Sequence, residues 1–335
     1  EALDLISART EFYVHPTALP TVERSSIKLD LHRRDFTINT LALRLDGRHY
    51  GNLYDFWGGY TDIQKRLVRV LHSLSFVDDP TRMLRAVRFE QRFSFTIENR
   101  TMQLMDEAHD LLKQVSGDRL RHELDLIFAE EDPVQVLQRL EDLKLLFAIH
   151  PQLGWQKEFA VGLQKALTGA LDANWELPAQ LGAIPIRHAL AYLVWHIPLG
   201  KSASEVIANR LRLSHPLTIA LNAAFKILPR LESLSEATPS RIVAQLDDIP
   251  MITIAALTIL HPSDSVVKML NQYSHTWRRV QPTTDGYTLL AQGLMPGPSY
   301  RQILWALRAA WLYGKIHTHE QETMLLRQMM NPDPH

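Results

Sequence analysis

Residues 78–89 read Asp-Asp-Pro-Thr-Arg-Met-Leu-Arg-Ala-Val-Arg-Phe, a helix-start signal followed by an arginine repeat. Asp79 is a typical N-cap residue and Pro80 suits the first helical position, so we predict that a helix begins here. Four arginines then follow at spacings of three, three and four: Arg82, Arg85, Arg88 and Arg92. This spacing places their guanidinium groups on about a third of the helix circumference.

The arginine face has two interpretations. Charged helix faces are usually solvated, but a solvated face commonly mixes acidic and basic residues in i,i+4 pairs. This face carries arginine only, and arginine suits planar or bidentate recognition of phosphate and of base edges. From the spacing alone, a solvated face and a nucleotide or phosphate site both remain open.

A second arginine block lies upstream, at residues 30–39, with the sequence Asp-Leu-His-Arg-Arg-Asp-Phe-Thr-Ile-Asn.

The 335-residue chain has a net charge of -1, 46% hydrophobic residues and no cysteine. These values indicate a globular chain with an ample core, and they exclude disulfides, thiolate metal sites and a cysteine nucleophile. A cytoplasmic location fits this composition, and neither a membrane span nor a signal peptide is evident. With so small a net charge, contact with a polyanion must come from local patches.

The chain changes character near residue 95. Before it we predict strands within 1–13, 41–46 and 67–71, and a short helix at 61–66. After it the patterns are helical throughout, without strands: 99–114, 117–130, 133–147, 156–172, 186–197, 202–212, 215–228, 239–247, 250–260 and 264–273. The predicted fold class is therefore α+β, mostly α, with a small α/β part followed by a long helical part.

The last distinctive stretch is Gly-Leu-Met-Pro-Gly-Pro at residues 293–298. Two helices joined here would expose backbone N–H groups at the start of the second helix, which suit a phosphate contact. An ordinary tight turn is the alternative, and geometry alone favours it. The aromatic residues fall mostly at helical core spacing, so no base-stacking platform is predicted from them.

Together, the blocks 30–39, 78–89 and 293–298 resemble the bacterial class II tRNA nucleotidyltransferase and poly(A) polymerase family, in the same order and over nearly the whole chain. The resemblance implies a partial polymerase-β-like nucleotidyltransferase head at 1–75, a helical neck at 76–150 and a helical body and tail at 151–335. It also implies template-independent addition of AMP, CMP or both to the 3′ end of tRNA or another RNA, with ATP and possibly CTP as substrates. The sequence does not separate CCA addition, A addition and poly(A) synthesis.

The resemblance also implies roles for single residues. Asp79 and Arg82 would read the base edge of the incoming nucleotide, and Arg85 and Arg88 would face the nucleotide or its phosphates. Triphosphate and ribose contacts would come from the upstream block: Arg33, Arg34 and Asp35, with support from Asn39. In the tail, Gly297 and Arg301 would contact RNA, although Arg301 stands where the family commonly has glycine.

Members of this family use Mg²⁺ held by an Asp-x-Asp pair that follows a Gly-Gly turn. That pair is absent from residues 1–335, and Asp4, which matches a third carboxylate, cannot hold two such cations alone. We therefore expect the metal ligands upstream of residue 1, in a longer protein, and expect the chain to be inactive by itself.

Two other functions are considered. The chain could be a non-catalytic RNA-binding helical module, which the upstream sequence would distinguish from an enzyme. A metal-dependent phosphohydrolase is disfavoured because His109-Asp110 has no neighbouring histidine cluster and His317 and His319 lack further ligands. Arg119, Arg121 and His122 suit either RNA phosphate or a solvated helix surface.

Overall fold

The computed structural model describes residues 6–12 and 21–330. Its strands are few and short: β1 (Arg9–Phe12), β2 (Thr21–Arg24), β3 (Ala42–Leu43), β4 (Leu53–Tyr54), β5 (Leu67–Val68), β6 (Thr96–Ile97), β7 (Gln180–Leu181) and β8 (Ile184–Pro185). They form four two-stranded pairs, β1–β2, β3–β4, β5–β6 and β7–β8. Only β5–β6 is parallel, with Leu67 opposite Thr96; in β1–β2, Arg9 lies opposite Arg24.

Helices make up most of the remaining structure, so the predicted class, α+β and mostly α, is confirmed. They are α1 (Ile27–His32), α2 (Gly59–Gln64), α3 (Ser75–Asp78), α4 (Arg82–Phe93), α5 (Asn99–Ala108), α6 (Gly117–Phe128), α7 (Pro133–Asp142), α8 (Leu145–Ile149), α9 (Phe159–Leu167), α10 (Ile186–His196), α11 (Lys201–Arg210), α12 (His215–Ile227), α13 (Leu231–Ser235), α14 (Pro239–Leu246), α15 (Met251–Leu260), α16 (Asp264–His275), α17 (Gly286–Ala291), α18 (Pro298–Leu312) and α19 (His319–Met330).

The chain divides into two compact units. Unit 1 comprises Glu1–Gln164 and Pro198–Ser214. Its central helix is α4, which contacts β5, β6, α6 and α7 and buries an apolar face completely: Met83, Leu84, Ala86 and Val87. The guanidinium group of Arg210 ties the 198–214 segment to this unit, because it donates hydrogen bonds to four carbonyl oxygens, those of Leu112, Lys113, Val115 and Ile149.

Unit 2 comprises Lys165–Ile197 and His215–His335. The apolar helix α15 contacts α10, α12 and α16, and the Thr253 hydroxyl on α15 donates a 2.9 Å hydrogen bond to the Ala220 carbonyl of α12. The last three helices share a smaller core around Leu289, Leu307 and Leu326. Each helix thus buries an apolar side against its neighbours, as its sequence pattern requires.

The predicted start of the arginine helix is wrong by two residues. Helix α4 begins at Arg82 with Thr81 as its N-cap residue, not at Pro80 with Asp79 as the cap. Asp79 is extended, and its Oδ1 atom accepts hydrogen bonds from the backbone N–H and the hydroxyl of Thr81, at 3.0 and 2.6 Å. The carboxylate therefore caps the turn before the helix, and it faces the region in front of α4.

Several other boundaries also differ from the prediction. The predicted helix at 133–147 is divided into α7 and α8 because Lys144 adopts a left-handed conformation with φ of 57°. The predicted helix at 99–114 ends at Ala108 and continues as a 3₁₀ turn. Strands do occur after residue 95, namely β6, β7 and β8, but each has only two residues and therefore shows no strand period.

The segment that starts α2 lies tightly against the 30–39 block. The Asp55 carboxylate accepts hydrogen bonds from Gly59 N–H (2.7 Å) and Tyr60 N–H (3.0 Å). The Thr37 hydroxyl donates to Asp62 Oδ2 at 2.6 Å. A Cβ atom at Gly59 would lie 2.3 Å from the Thr37 carbonyl oxygen, so only glycine permits this approach.

We therefore expect Gly59→Ala to lower the free energy of unfolding by about 1–3 kcal/mol, the usual cost of overpacking. Thermal unfolding measures this effect. Gly154→Ala is the matched control, because a Cβ atom there meets nothing within 4 Å. Equal melting temperatures for the two variants would contradict the close approach.

In the part of the chain that the structure describes, no single helix has both the length and the apolar composition needed to cross a membrane. Helices α14 and α15 together reach that length and composition, but a bend of 115° separates them.

Candidate nucleotide-binding cleft

Phe36 fixes the 33–39 turn against the arginine helix. Its side chain is fully buried, its backbone bridges Val70, and its ring meets the Phe89 ring of α4 edge-on, with 5.6 Å between centroids. Ser26 caps the preceding helix α1, which ends at His32. The polar residues on either side of Phe36 are thereby held beside the start of α4.

Asp35 connects the two arginine blocks. It is 5% exposed, and its Oδ1 atom accepts hydrogen bonds from Phe36 N–H (2.9 Å) and from the Asn39 amide (2.8 Å). Its Oδ2 atom lies 2.7 Å from Nη2 of Arg85 on α4. Removing Arg85 would leave the buried Asp35 carboxylate without its counter-charge, so this pair holds the two blocks together.

Arg82 makes a second connection. Its guanidinium group is buried and donates to the Ser75 hydroxyl (2.7 Å) and to the Arg33 carbonyl (2.9 Å). These acceptors are neutral, so the guanidinium keeps its full positive charge beside the cleft. An anionic or hydrogen-bond-accepting ligand would find a donor here that is already oriented.

Asp30 orients the two arginines that follow it. Its carboxylate lies 2.9 Å from Arg33 Nη2 and 3.5 Å from Arg34 Nη2, and it also accepts a 3.0 Å hydrogen bond from Arg9 N–H. Burial favours a higher pKa for Asp30, but the hydrogen bonds from Arg9 and Arg33 outweigh burial and hold the pKa below its usual value. Asp30 is therefore a stable anion, while the Arg34 side chain stays 43% exposed.

Asp79 faces the 33–39 turn from the other side. Its Oδ1 atom accepts a 2.6 Å hydrogen bond from Arg119 of α6, in addition to the two bonds from Thr81. The sequence left Arg119 open between an RNA contact and a solvated surface. In the structure, Arg119 instead holds the Asp79 carboxylate.

These contacts produce one polar cleft of about 410 Å³, within the usual size range for small-molecule sites. Seven residues line it: Arg33, Arg34, Asp35, Asn39, Asp79, Arg82 and Arg85. Four arginines face two aspartates, so positive charge is in excess. The cleft therefore has the chemistry to bind a polyanion and to form directional hydrogen bonds with a polar heterocycle.

Arg88 is the one residue of the predicted set on α4 that lies outside this lining. Its side chain is 8% exposed and makes ion pairs with Glu123 (3.6 Å) and Glu130 (3.5 Å). Arg92 also pairs with Glu130, at 2.5 Å. The acidic partners of Arg88 and Arg92 thus come from α6 and the turn after it, outside the α4 sequence.

Burial shifts the pKa values of the acid and the base in this ion-pair cluster in opposite directions. Desolvation raises the pKa of Glu123 and lowers the pKa of Arg88, and each ion pair opposes the shift. Arg88 therefore supports the back of the helix, and its contact with a nucleotide or its phosphates stays a prediction.

The remaining predicted site residues lie elsewhere. Asp4 falls outside the described residues. Gly297 and Arg301, at the start of α18, line a separate cavity of about 700 Å³ in unit 2. Helices α17 and α18 flank this stretch, as both interpretations require, so the phosphate contact stays a prediction. Within residues 6–12 and 21–330, no group of three metal-ligating side chains is found. His109, His317 and His319 therefore belong to no such group among these residues.

Three supporting residues were not predicted for the cleft: Asp30, Ser75 and Arg119. Asp30 precedes Arg33 and Arg34 by three and four residues on a helix, a spacing that signals ion pairs. Arg119 contacts Asp79 across forty positions of sequence, and no local pattern reports such a contact.

Comparisons with known proteins identify the family. Residues 1–69 match the poly(A) polymerase head domain, and residues 94–155 match the probable RNA- and SrmB-binding site of polymerase A. The chain is 34% identical to the A-adding tRNA nucleotidyltransferase of Geobacter sulfurreducens, spanning 96% of this chain and 37% of that one. It is 31% identical to the A-adding tRNA nucleotidyltransferase of Halalkalibacterium halodurans, spanning 98% of this chain and 74% of that one.

Solved structures of CCA-adding enzymes are also similar to this chain. The Thermotoga maritima CCA-adding enzyme complexed with tRNA superposes with a TM-score of 0.73 at 26% identity, covering 93% of this chain and 77% of that one. A CCA-adding enzyme solved with ATP superposes at 0.72 and 27% identity, covering 90% and 73%. The head-domain match, the RNA-binding match and the near full-length similarity to the Halalkalibacterium relative agree, and the chain belongs to the class II tRNA nucleotidyltransferase and poly(A) polymerase family.

Proposed function

We propose that the chain takes part in adding nucleotides to the 3′ end of tRNA, and that its polar cleft binds the incoming nucleoside triphosphate. The observation that carries the proposal is the single cleft of about 410 Å³ that joins the two arginine blocks. A solvated helix face would leave these groups apart, whereas here Asp35 binds Arg85 and the Arg33 carbonyl binds Arg82.

Each lining residue receives a role in this proposal. Asp79 and Arg82 recognise the base edge, since a carboxylate acceptor beside a guanidinium donor complements a heterocycle that both donates and accepts. The triphosphate is bound by the arginines nearest to solvent, Arg33, Arg34 and Arg85. Asp35 and Asn39 contact the ribose or hold the arginines in place, and Arg88 supports α4 from behind.

We favour AMP as the nucleotide that is added. The relatives that are at least 31% identical along nearly the whole chain are A-adding enzymes, whereas CCA-adding enzymes of comparable coverage are 26–28% identical. ATP is then the main substrate, and CTP is the competing substrate for a CCA-adding activity.

The tail supplies the second part of the proposal. Gly297 and Arg301 are assigned to RNA contact, because the first turn of α18 and the Arg301 side chain lie at the same cavity. The divisions at 1–75, 76–150 and 151–335 into head, neck, and body with tail belong to this proposal as well.

Mg²⁺ is implied by the family, and the described carboxylates do not suit it. No group of three or more ligating side chains exists within 6–12 and 21–330, and both cleft aspartates are already bonded by arginines. Hard divalent cations need several free oxygen ligands, so we assign no metal site to these residues.

Incorporation of labelled AMP and CMP into tRNA lacking its 3′ terminus tests the function. We expect no AMP incorporation by residues 1–335 alone, and Mg²⁺-dependent AMP incorporation by a form in which a segment with an Asp-x-Asp pair precedes them. Robust transfer by residues 1–335 would contradict the assignment of the metal ligands. RNA binding without any transfer in either form would favour the non-catalytic RNA-binding module.

The Arg119–Asp79 contact gives a prediction about positioning. Arg119→Ala removes the 2.6 Å hydrogen bond that orients the Asp79 carboxylate. Because Arg119 acts through Asp79, we expect ATP affinity to fall about three- to tenfold, the range of one ordinary hydrogen bond. Isothermal titration measures the affinity. Arg100→Ala, at an exposed residue of α5, is the control. Equal ATP affinities for the two variants would contradict a positioning role for Arg119.

A further inference from the structure

A row of five aromatic rings runs along unit 1 toward the cleft. Consecutive ring centroids are 5.6 Å apart for Tyr54–Phe56, 5.5 Å for Phe56–Trp57, 5.4 Å for Trp57–His32 and 5.5 Å for His32–His72. Two of these pairs are stacked, Tyr54–Phe56 at 24° and His32–His72 at 16°. The rings come from three separate segments, so their alignment is not visible as a sequence period.

The row lies at the surface, outside the core of unit 1. Phe56 is 43% exposed, His32 is exposed, and the other three rings are partly exposed. The core of this unit is made by other aromatic residues, including Phe36 and Phe76, which are at most 1% exposed. Partly exposed flat rings cost hydration energy in the free protein, and a ligand with its own flat apolar faces would recover that cost.

Positive charge accompanies the row. Lys28 Nζ lies 5.6 Å from the centroid of the Phe56 ring. Arg44 donates a hydrogen bond to the Tyr54 hydroxyl at 3.2 Å, but its charge is offset by an ion pair with Asp46 at 2.7 Å, so the positive charge beside the row comes mainly from Lys28. Aromatic rings combined with cations along a strip are typical of surfaces that bind single-stranded nucleic acid.

The row ends at the nucleotide cleft. His32 directly precedes Arg33, and His72 Nε2 lies 3.8 Å from the carboxylate of Asp78, the neighbour of Asp79. An RNA strand whose bases stack along the rings would therefore place its 3′ end at the cleft. The acceptor end must lie there to receive a nucleotide.

We propose that the row of Tyr54, Phe56, Trp57, His32 and His72 binds the single-stranded 3′ end of the acceptor RNA by stacking, with Lys28 near its backbone. This inference rests on the proposed function, because it takes the cleft as the site of the incoming nucleotide. Stacking tolerates every base, so the row positions the strand while the cleft selects the nucleotide.

Fluorescence anisotropy of a 5′-labelled single-stranded RNA that ends in two cytidines tests the proposal on residues 1–335. Loss of one stacking ring generally weakens such binding by about five- to a hundredfold, so we expect Trp57→Leu to weaken it at least fivefold. Phe56→Leu, at the more exposed ring, should weaken it by a similar factor with little effect on stability. Tyr60→Leu is the matched control, since Tyr60 is 51% exposed nearby but outside the row.

Two further readouts make the result decisive. Thermal unfolding and ATP affinity should be unchanged in Phe56→Leu, which separates a loss of stacking from a loss of fold. Unchanged RNA affinity in both Phe56→Leu and Trp57→Leu, or no measurable binding of the RNA by the wild type, would overturn the proposal. If RNA binding depends on Trp57 but ATP does not bind, the proposed nucleotide site is contradicted and the proposed stacking row is supported.

Discussion

Replacing Arg82 by alanine is expected to lower the affinity of the chain for ATP about tenfold or more. The buried guanidinium is assigned to the base edge, and a well-formed bidentate contact to a base contributes about 1–3 kcal/mol. Its two hydrogen bonds, to Ser75 and to the Arg33 carbonyl, also keep the two arginine blocks together, so the loss should exceed that of a single ligand contact. Isothermal titration with ATP and CTP measures the change.

Arg92→Ala provides the matched control for this experiment. Arg92 lies on the same helix with a 42% exposed side chain, and it pairs with Glu130 away from the cleft. We expect its ATP affinity to equal that of the wild type, with both variants folded by circular dichroism. Wild-type affinity for both ATP and CTP in folded Arg82→Ala would refute the assigned role.

The second large effect is expected in unit 2, where Glu322 is a fully buried carboxylate. It accepts hydrogen bonds only from neutral groups: Thr283 N–H at 3.0 Å and hydroxyl at 2.9 Å, Thr284 N–H at 2.6 Å and hydroxyl at 2.5 Å, and Trp311 Nε1–H at 2.5 Å. Glu322→Ala leaves these donors unsatisfied, and we expect the free energy of unfolding to fall by about 3–5 kcal/mol. Hydrogen exchange of the amides in α19 measures the effect locally.

The same carboxylate makes unit 2 sensitive to acid. Burial raises the pKa of Glu322, but the hydrogen bonds from Thr284, Thr283 and Trp311 outweigh burial and lower the pKa from 4.5 to about 2. A pKa that is lower in the folded than in the unfolded state contributes stability above pH 4.5, here about 3 kcal/mol, which disappears as the pH falls toward 2.

Glu320→Ala serves as the control, because Glu320 is exposed on the same helix. Between pH 5 and pH 2 the wild type and Glu320→Ala should lose protection in α19, and Glu322→Ala should show a much smaller dependence on pH. Parallel pH profiles for all three proteins would contradict the assigned role of Glu322.

The sequence indicated which residues line the cleft, but it did not indicate how they contact one another. The two arginine blocks were identified because their residue types and spacing are unusual, and seven of the eight predicted nucleotide-binding residues line one cleft. Their individual roles stay predictions. The position of Arg88 outside the cleft lining could not be predicted, because helical spacing shows which residues share a face, but not that Glu123 and Glu130 cover part of that face from other segments.

Helix boundaries were limited by similar causes. The start of α4 differs because Asp79 caps the preceding turn through Thr81, and a capping residue and a turn residue look alike in sequence. The break at Lys144 has no glycine or proline to mark it. The aromatic row beside the cleft is likewise absent from any local pattern, because Trp57, His32 and His72 meet only in the folded chain.

Photo-crosslinking with 8-azido-ATP tests the central claim most directly, because it locates the bound nucleotide on the folded chain. We expect labelled peptides from residues 30–39 and 78–92. Excess ATP should prevent the labelling, and Arg82→Ala should reduce it while Arg92→Ala does not. Labelling that is confined to unit 2, or that is unchanged in Arg82→Ala, would contradict a nucleotide site in this cleft.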